Sequence, residues 1–210
     1  MTRKKSQMLA VGHLAFGYLL AKICQRLLKT DLNLPLVFLL SLLPDVDLFI
    51  PEIAHRGITH SIVLLTILFI PLFIMYQKNS VPYFVAIAQH SLLGDFITGS
   101  AQIFSPLTTT SYGLDVALQS PINVVLEGSG FVLMMLIMTW TRDLFVLFRP
   151  KMGNFLLVLP EGALIGSAFI ALHFFTSVVL LVFHVILFVI FAVSVVFSLE
   201  RFIFNRFQQL

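Results

Sequence analysis

Seven apolar stretches, at roughly 8–28, 33–50, 61–77, 81–98, 122–148, 155–174 and 177–200, fill most of this 210-residue chain. A helix needs about 20 apolar residues to cross the hydrocarbon, somewhat fewer where the bilayer thins or the helix ends are buried in protein. Only Thr176 and Ser177 offer a turn between the last two stretches, so the count is six to seven. Composition agrees. The chain is 59% hydrophobic with 22 Phe, and 11% of its residues are charged, against roughly 25% in soluble domains. The sequence predicts an all-α, polytopic transmembrane helix bundle, a single integral membrane domain over 1–210 with no internal repeat and no soluble part.

The formal charge of +3 comes from short basic clusters at the ends of the apolar runs, such as Arg3-Lys4-Lys5 and Arg142, Arg149, Lys151. These are topology signals, and nucleic-acid binding is excluded. With seven spans and the N-terminus outside, the inner side holds Lys22, Arg26, Lys29, Lys78, Arg142, Arg149, Lys151, Arg201 and Arg206, and the outer side Arg3, Lys4, Lys5 and Arg56. Nine against four favours that arrangement in a cell inner membrane, although Arg3-Lys4-Lys5 alone prefers the cytoplasm. Residues 8–21 have signal-peptide character but no A-x-A-type cleavage site, so they read as a retained helix. A single cysteine, Cys24, rules out a disulfide framework or a cysteine zinc site within one chain.

The second stretch is interrupted by Pro44, which removes a backbone hydrogen bond and biases Leu43 away from the helical region. A broken second helix leaves Asp45 and Asp47 part-way into the bilayer, where irregular backbone is tolerated only inside protein or along a wet cavity. Asp45, Asp47, His55, Arg56, Thr59 and His60 then crowd one short P-D-V-D…H-R-G-I-T-H-S run. Such groups are costly in hydrocarbon, so their presence marks a functional site. The loop from Ser100 to Pro121, rich in Ser, Thr, Gln, Gly and Pro, is longer than a connection needs and is expected to cap that pocket.

The fourth stretch adds His90 and Asp95. At about 100° per residue, a five-residue step leaves them roughly 140° apart, so they share one site only if Gly94 loosens the helix or several helices converge. Imidazoles and carboxylates from facing helices are how a bundle holds a divalent metal, and zinc is preferred where histidine dominates. The available set is His13, Asp45, Asp47, His55, His60, His90 and Asp95, more than one catalytic zinc needs. One or two ions, or one ion with orienting partners, would account for it. Of these, His13, Asp45, Asp47, His60, His90 and Asp95 are taken as metal ligands, and Asp47, His55 and Arg56 as catalytic groups. Metal-activated water makes hydrolysis the expected reaction. The planar fork of Arg56 suits phosphate, so a phosphoester or lipid substrate fits better than a peptide, unless Arg56 pairs with Glu52 or Asp47.

The elements His13, P-D-V-D at 44–47, H-R-G-I-T-H-S at 55–61, His90 and G-D-F-I-T at 94–98 resemble the LexA-regulated, membrane-bound, metal-dependent hydrolases, the YdjM-like inner-membrane proteins. That family is itself thought akin to zinc-dependent phospholipase C. The resemblance spans residues 13 to about 110 and implies metal and membrane more firmly than any substrate. It also lifts His13, which alone would read as interfacial. Residues 122–200 carry no motif and are expected to be accessory helices beside the motif-bearing 8–110.

Other residues have plainer readings. A serine nucleophile at Ser61 or Ser129 is disfavoured, because E-G-S-G puts Glu127 where a rhomboid-type motif has glycine. Glu127 and Glu161 are candidate pocket acids, Glu161 also suiting a helix start after Pro160. His173 and His184 are expected to pack. Two alternatives to a hydrolase use the same cluster: a transporter or metal-permeation protein, which would usually show repeats and interrupted helices in both halves, and a closed structural metal site.

Overall fold

The computed structural model describes residues 8–173 and 177–207, without the side chains of Arg206 and Phe207; Arg3, Lys4, Lys5 and Thr176 lie outside the described residues. Among them the fold is all-α: α1 (Ala10–Leu28), α2 (Leu34–Leu42), α3 (Ile62–Tyr76), α4 (Val81–Gln89), α5 (Phe96–Thr98), α6 (Pro121–Trp140), α7 (Asp143–Leu147), α8 (Val158–His173) and α9 (Val178–Phe207). A π-helical turn, His90–Asp95, joins α4 to α5. Taking α4 with α5, and α7 as a fragment below α6, seven helices stand where the apolar stretches predict. The last apolar run is divided into two, α8 and α9.

Local sequence sets the boundaries. Asn33, Ser61 and Ser120 accept hydrogen bonds from the backbone N–H groups of Leu36, Leu64 and Asn123, so each caps a helix start. Pro44 ends α2, and Leu43–Phe49 continues as a tighter 3-10 turn, the expected break. One expected helix, 122–148, is instead two: it ends at Trp140, Arg142 takes a left-handed φ of 62°, and α7 follows. That kink turns Asp143 inward, where Lys22 Nζ (2.6 Å) and the Tyr18 hydroxyl (2.7 Å) meet it.

Four helical runs are long and apolar enough to cross a membrane: Ile62–Thr98, Pro121–Trp140, Met152–His173 and Val178–Asn205. The first is a hairpin. Gln77 breaks it at φ 48°, and Phe69 packs on Phe84 with ring centroids 4.5 Å apart, whereas a straight helix would separate them by about 22 Å. Helix α1 is the centre of the bundle. Val11, Leu14, Ala15 and Tyr18 are wholly buried, and the core continues through Phe38, Met134, Leu164, Leu180 and Phe191.

Apolar burial gives little drive between helices in lipid, so close packing through small residues matters more. At Gly17 a Cβ would overlap Ser41 Oγ and come within 3.2 Å of Gln89 Nε2, so α1, α2 and α4 meet backbone-close at this point. The same contact brings the carboxyl end of α2 and the His90 turn level with His13. Lys22, Arg26 over the Trp140 ring, and Asp143 lie at the far end of α1.

Candidate metal centre

Five segments converge above this crossing. Helix α1 supplies His13, the 3-10 turn after Pro44 supplies Asp45 and Asp47, the following loop supplies His55 and Arg56, the short 3-10 turn Ile58–His60 supplies Thr59 and His60, and the π turn supplies His90 and Asp95. The π turn resolves the spacing of the last pair. Its wider winding closes i→i+5 rings, which brings residues five apart to the same side, and His90 Nε2 lies 3.5 Å from Asp95 Oδ2.

The cluster is tight. His60 Nε2 lies 3.0 Å from Asp95 Oδ2 and 3.5 Å from Asp45 Oδ1, and His90 Nε2 lies 3.3 Å from the same Asp45 oxygen. The His13 and His90 rings stack with centroids 3.7 Å apart and planes 9° from parallel. Gly94 permits this, since a Cβ there would overlap the His13 ring. Three overlapping sets, His13–Asp45–His90, Asp45–His55–His60 and His60–His90–Asp95, each offer ligand atoms within 4.8 Å of one another. Two ligands of one ion at 2.0–2.2 Å stand within about 4.4 Å of each other, so this spacing is close to coordination.

Whether a cation fits is decided by hydrogen bonding. Nδ1 of His13, Nε2 of His60, Nε2 of His90 and Oδ2 of Asp95 are buried and make no well-aligned hydrogen bond, His60 and Asp95 meeting as an ion pair. Buried polar atoms are nearly always satisfied, and a cluster of such atoms could hold a cation. The opposite ring nitrogens are fixed. His90 Nδ1 donates to the Ser41 carbonyl (2.8 Å), and His60 Nδ1 lies 3.0 Å from Thr59 Oγ1 and 3.3 Å from Asp47 Oδ2. Holding one nitrogen as a donor turns the other inward, where it can serve as a ligand once it carries no proton, the usual arrangement behind a metal-ligating histidine.

Asp47 stands behind the cluster. It accepts from His55 Nδ1 (2.8 Å), from the Arg56 backbone N–H (3.1 Å) and from the Thr59 hydroxyl (2.6 Å). Burial alone would raise its carboxyl pKa, but the hydrogen bonds with His55, His60 and Thr59 hold it below the usual carboxylate range. For His60 the balance is reversed: burial would lower its pKa, and the carboxylates of Asp45, Asp47 and Asp95 push it up to about 11. The negative potential at this point therefore holds a positive charge.

Arg56 takes a left-handed φ of 63° and sets Nη2 2.8 Å from Asp95 Oδ1, while its backbone N–H reaches Asp47. The long loop is tied to the same segment. Gln102 N–H donates to the Arg56 carbonyl, Ile62 N–H to the Ile103 carbonyl, and the Ser61 hydroxyl to the Ser105 carbonyl. Ser61 is thereby spent on capping and loop anchoring, and Ser129, exposed on α6, bonds its own helix at Leu126. Exposure is uneven: Asp45 and His55 side chains are 25% and 21% accessible, His60 and His90 not at all.

Residues outside the motif also bear on the site. Glu127 and His184 are buried, and Glu127, Ser167 and His184 form a hydrogen-bonded group around the start of α1. Ser167 carried no sequence signal, since a lone serine in an apolar helix commonly bonds its own backbone. His173 closes α8 on an exposed face.

No curated protein and no solved structure matches the chain. The model of the YdjM inner membrane protein family, however, aligns with residues 8–201, taking in every ligand candidate as well as the motif-free helices, and the chain belongs to that family.

Proposed function

We propose that this inner-membrane protein is a metal-dependent hydrolase whose substrate is a phosphoester or lipid. The observation that carries the metal is the set of unpartnered buried atoms on His60, His90 and Asp95 grouped around Asp45, with His13 in a ligand set with Asp45 and His90. The donor set, imidazole nitrogens and carboxylate oxygens without sulfur, suits zinc or another first-row divalent ion. A bound divalent cation supplies Lewis acidity and makes a water ligand acidic enough to ionise near neutral pH.

The chain's own residues divide the remaining work. His55, oriented through Nδ1 by Asp47 and partly open to the outside, is placed to take up or give a proton at Nε2. Arg56 holds Asp95 and keeps a fixed positive charge beside the cluster, where a phosphoryl oxygen would be drawn. Asp45 forms the accessible side of an otherwise sealed cluster, which supports an open coordination position rather than a closed structural site. The basic residues Lys22 and Arg26 at the opposite end of α1 support placing the centre on the extracytoplasmic side.

Metal analysis of purified wild type beside His60→Ala and His90→Ala, with turnover of a chromogenic phosphodiester and of phospholipid in mixed micelles, tests the reading. One or two bound ions in wild type, lost with turnover in both variants, is the expected result. Full activity in metal-free protein would overturn it.

A further inference from the structure

Helix α1 carries His13 but cannot cap itself. Leu9 occupies its N-cap position with extended backbone and no side-chain acceptor, and the segment is sealed, with Leu9 at 0% and Ala10 at 7% exposure. The first N–H groups of a helix have no partner within it, and in a dry environment they must find one elsewhere. Here they find it on two helices of the second half of the chain, with a third behind them.

Glu127 of α6 accepts the Leu9 N–H at Oε1 (3.2 Å), and Asn123 one turn earlier donates to that same oxygen (2.7 Å) and steadies it. Ser167 of α8 accepts the Ala10 N–H (2.9 Å). Its hydroxyl proton goes to His184 Nε2 (3.0 Å), and His184 Nδ1 donates to the Leu180 carbonyl in α9 (2.7 Å). Every donor in this relay has one direction: Ala10 N–H to Ser167, Ser167 O–H to His184, His184 N–H to the α9 backbone. His13 lies one turn beyond Ala10, its ring stacked on His90 and backed by Gly94 with no room to slide. The height and rotation of α1 therefore set where the His13 ring meets the cluster.

We propose that Glu127 and Ser167, with His184 behind Ser167, are positioning residues for His13: α6, α8 and α9 fix the start of α1 so that its imidazole reaches the metal centre. This rests on the metal reading above. It gives the motif-free helices a task in the site as well as in packing.

The full chain in lipid nanodiscs provides the test, with Ser167→Ala and Glu127→Leu removing the acceptors and Ser167→Thr and Glu127→Gln keeping an oxygen. In metal-free protein, hydrogen exchange over residues 9–13 should quicken about tenfold in the first pair and stay near wild type in the second. Co²⁺ should bind about tenfold or more weakly in the first pair, with its visible absorption altered as in His13→Ala, and both properties should return in the conservative pair. Unchanged exchange and an unchanged Co²⁺ spectrum in Ser167→Ala, whatever its melting temperature, would overturn the proposal. So would covalent capture of Ser167 by a fluorophosphonate, which would mark the Ser167–His184 contact as a nucleophile and its base. Wild type that takes up no Co²⁺ ends the metal reading instead, and the exchange measurement still decides the cap: faster exchange in Ser167→Ala upholds it and wild-type exchange removes it.

Discussion

Replacing Gly94 with alanine should damage the metal centre while leaving the helix that carries it intact. The backbone at Gly94 does not require glycine, since no glycine in the chain has a positive φ. On propensity alone the substitution would favour the helix by up to about 1 kcal/mol. What opposes it is His13. An added Cβ would stand 2.5 Å from Nδ1, and nearer still to Cε1, where ordinary contact begins at 3.4 Å, so the ring must retreat by about 1 Å. Overpacking of this kind costs about 1–3 kcal/mol, leaving a net loss of stability of roughly 0–2 kcal/mol. Coordination is less forgiving, because metal–ligand distances hold to about 0.2 Å. Removing His13 from the ligand set should then weaken Zn²⁺ binding by about 10- to 100-fold.

Competition titration against a chromophoric chelator, with thermal unfolding alongside, measures both effects in purified protein. The double variant isolates the cause. In a His13→Ala background there is no ring to displace, so adding Gly94→Ala should change affinity by no more than about twofold, the limit expected of independent sites. Wild-type affinity in Gly94→Ala, or an equal loss in both backgrounds, would refute the claim that His13 is held against this glycine.

Asp47→Asn keeps the shape but not the charge behind His55 and His60; metal affinity should fall about 10- to 100-fold without disappearing, as read by the same titration. Lys22→Met strands Asp143 in the bundle and should cost about 3–5 kcal/mol in thermal or denaturant unfolding, most of it regained in Lys22→Met/Asp143→Leu. Because His60 has its pKa pushed up to about 11, it carries a proton at pH 7 that a cation must displace. Calorimetry in two buffers of unlike ionisation enthalpy should therefore show at least one proton released per ion, and binding without proton release would refute it.

The sequence made the helices legible because their apolar runs are long, and it made the break at Pro44 legible because proline has a local mechanism. It also placed the ligand candidates, since charge and imidazole in hydrocarbon are conspicuous. The geometry that unites them was less visible. The spacing of His90 and Asp95 reads as two opposite faces under α-helical winding, and nothing in H-S-L-L-G-D announces a π turn beyond Gly94. The kink at Arg142 was hidden for a similar reason: its cause is Asp143 meeting Lys22 and Tyr18, more than a hundred residues away. Ser167 was invisible because its partner is a backbone N–H on another helix.

The same packing bears on whether the cluster could belong to a permeation route. A cation leaving His13 toward the far end of the bundle would follow α1 past Leu14, Ala15 and Tyr18, all at 0% exposure, in a core where uncharged groups such as Ser41 and Gln89 are poor replacements for its hydration. About 13 Å on it would meet the Lys22 ammonium, which repels it and already occupies Asp143. Transport proteins commonly line both halves of their path with broken helices, whereas here the polar breaks at Pro44 and in the π turn both serve one end. Proteoliposomes holding this protein and a zinc-sensitive dye should thus take up Zn²⁺ no faster than empty vesicles. Uptake that depends on His60 and His90, and that quickens when Lys22 is replaced by Met, would reverse this conclusion and make the cluster a station on a pathway.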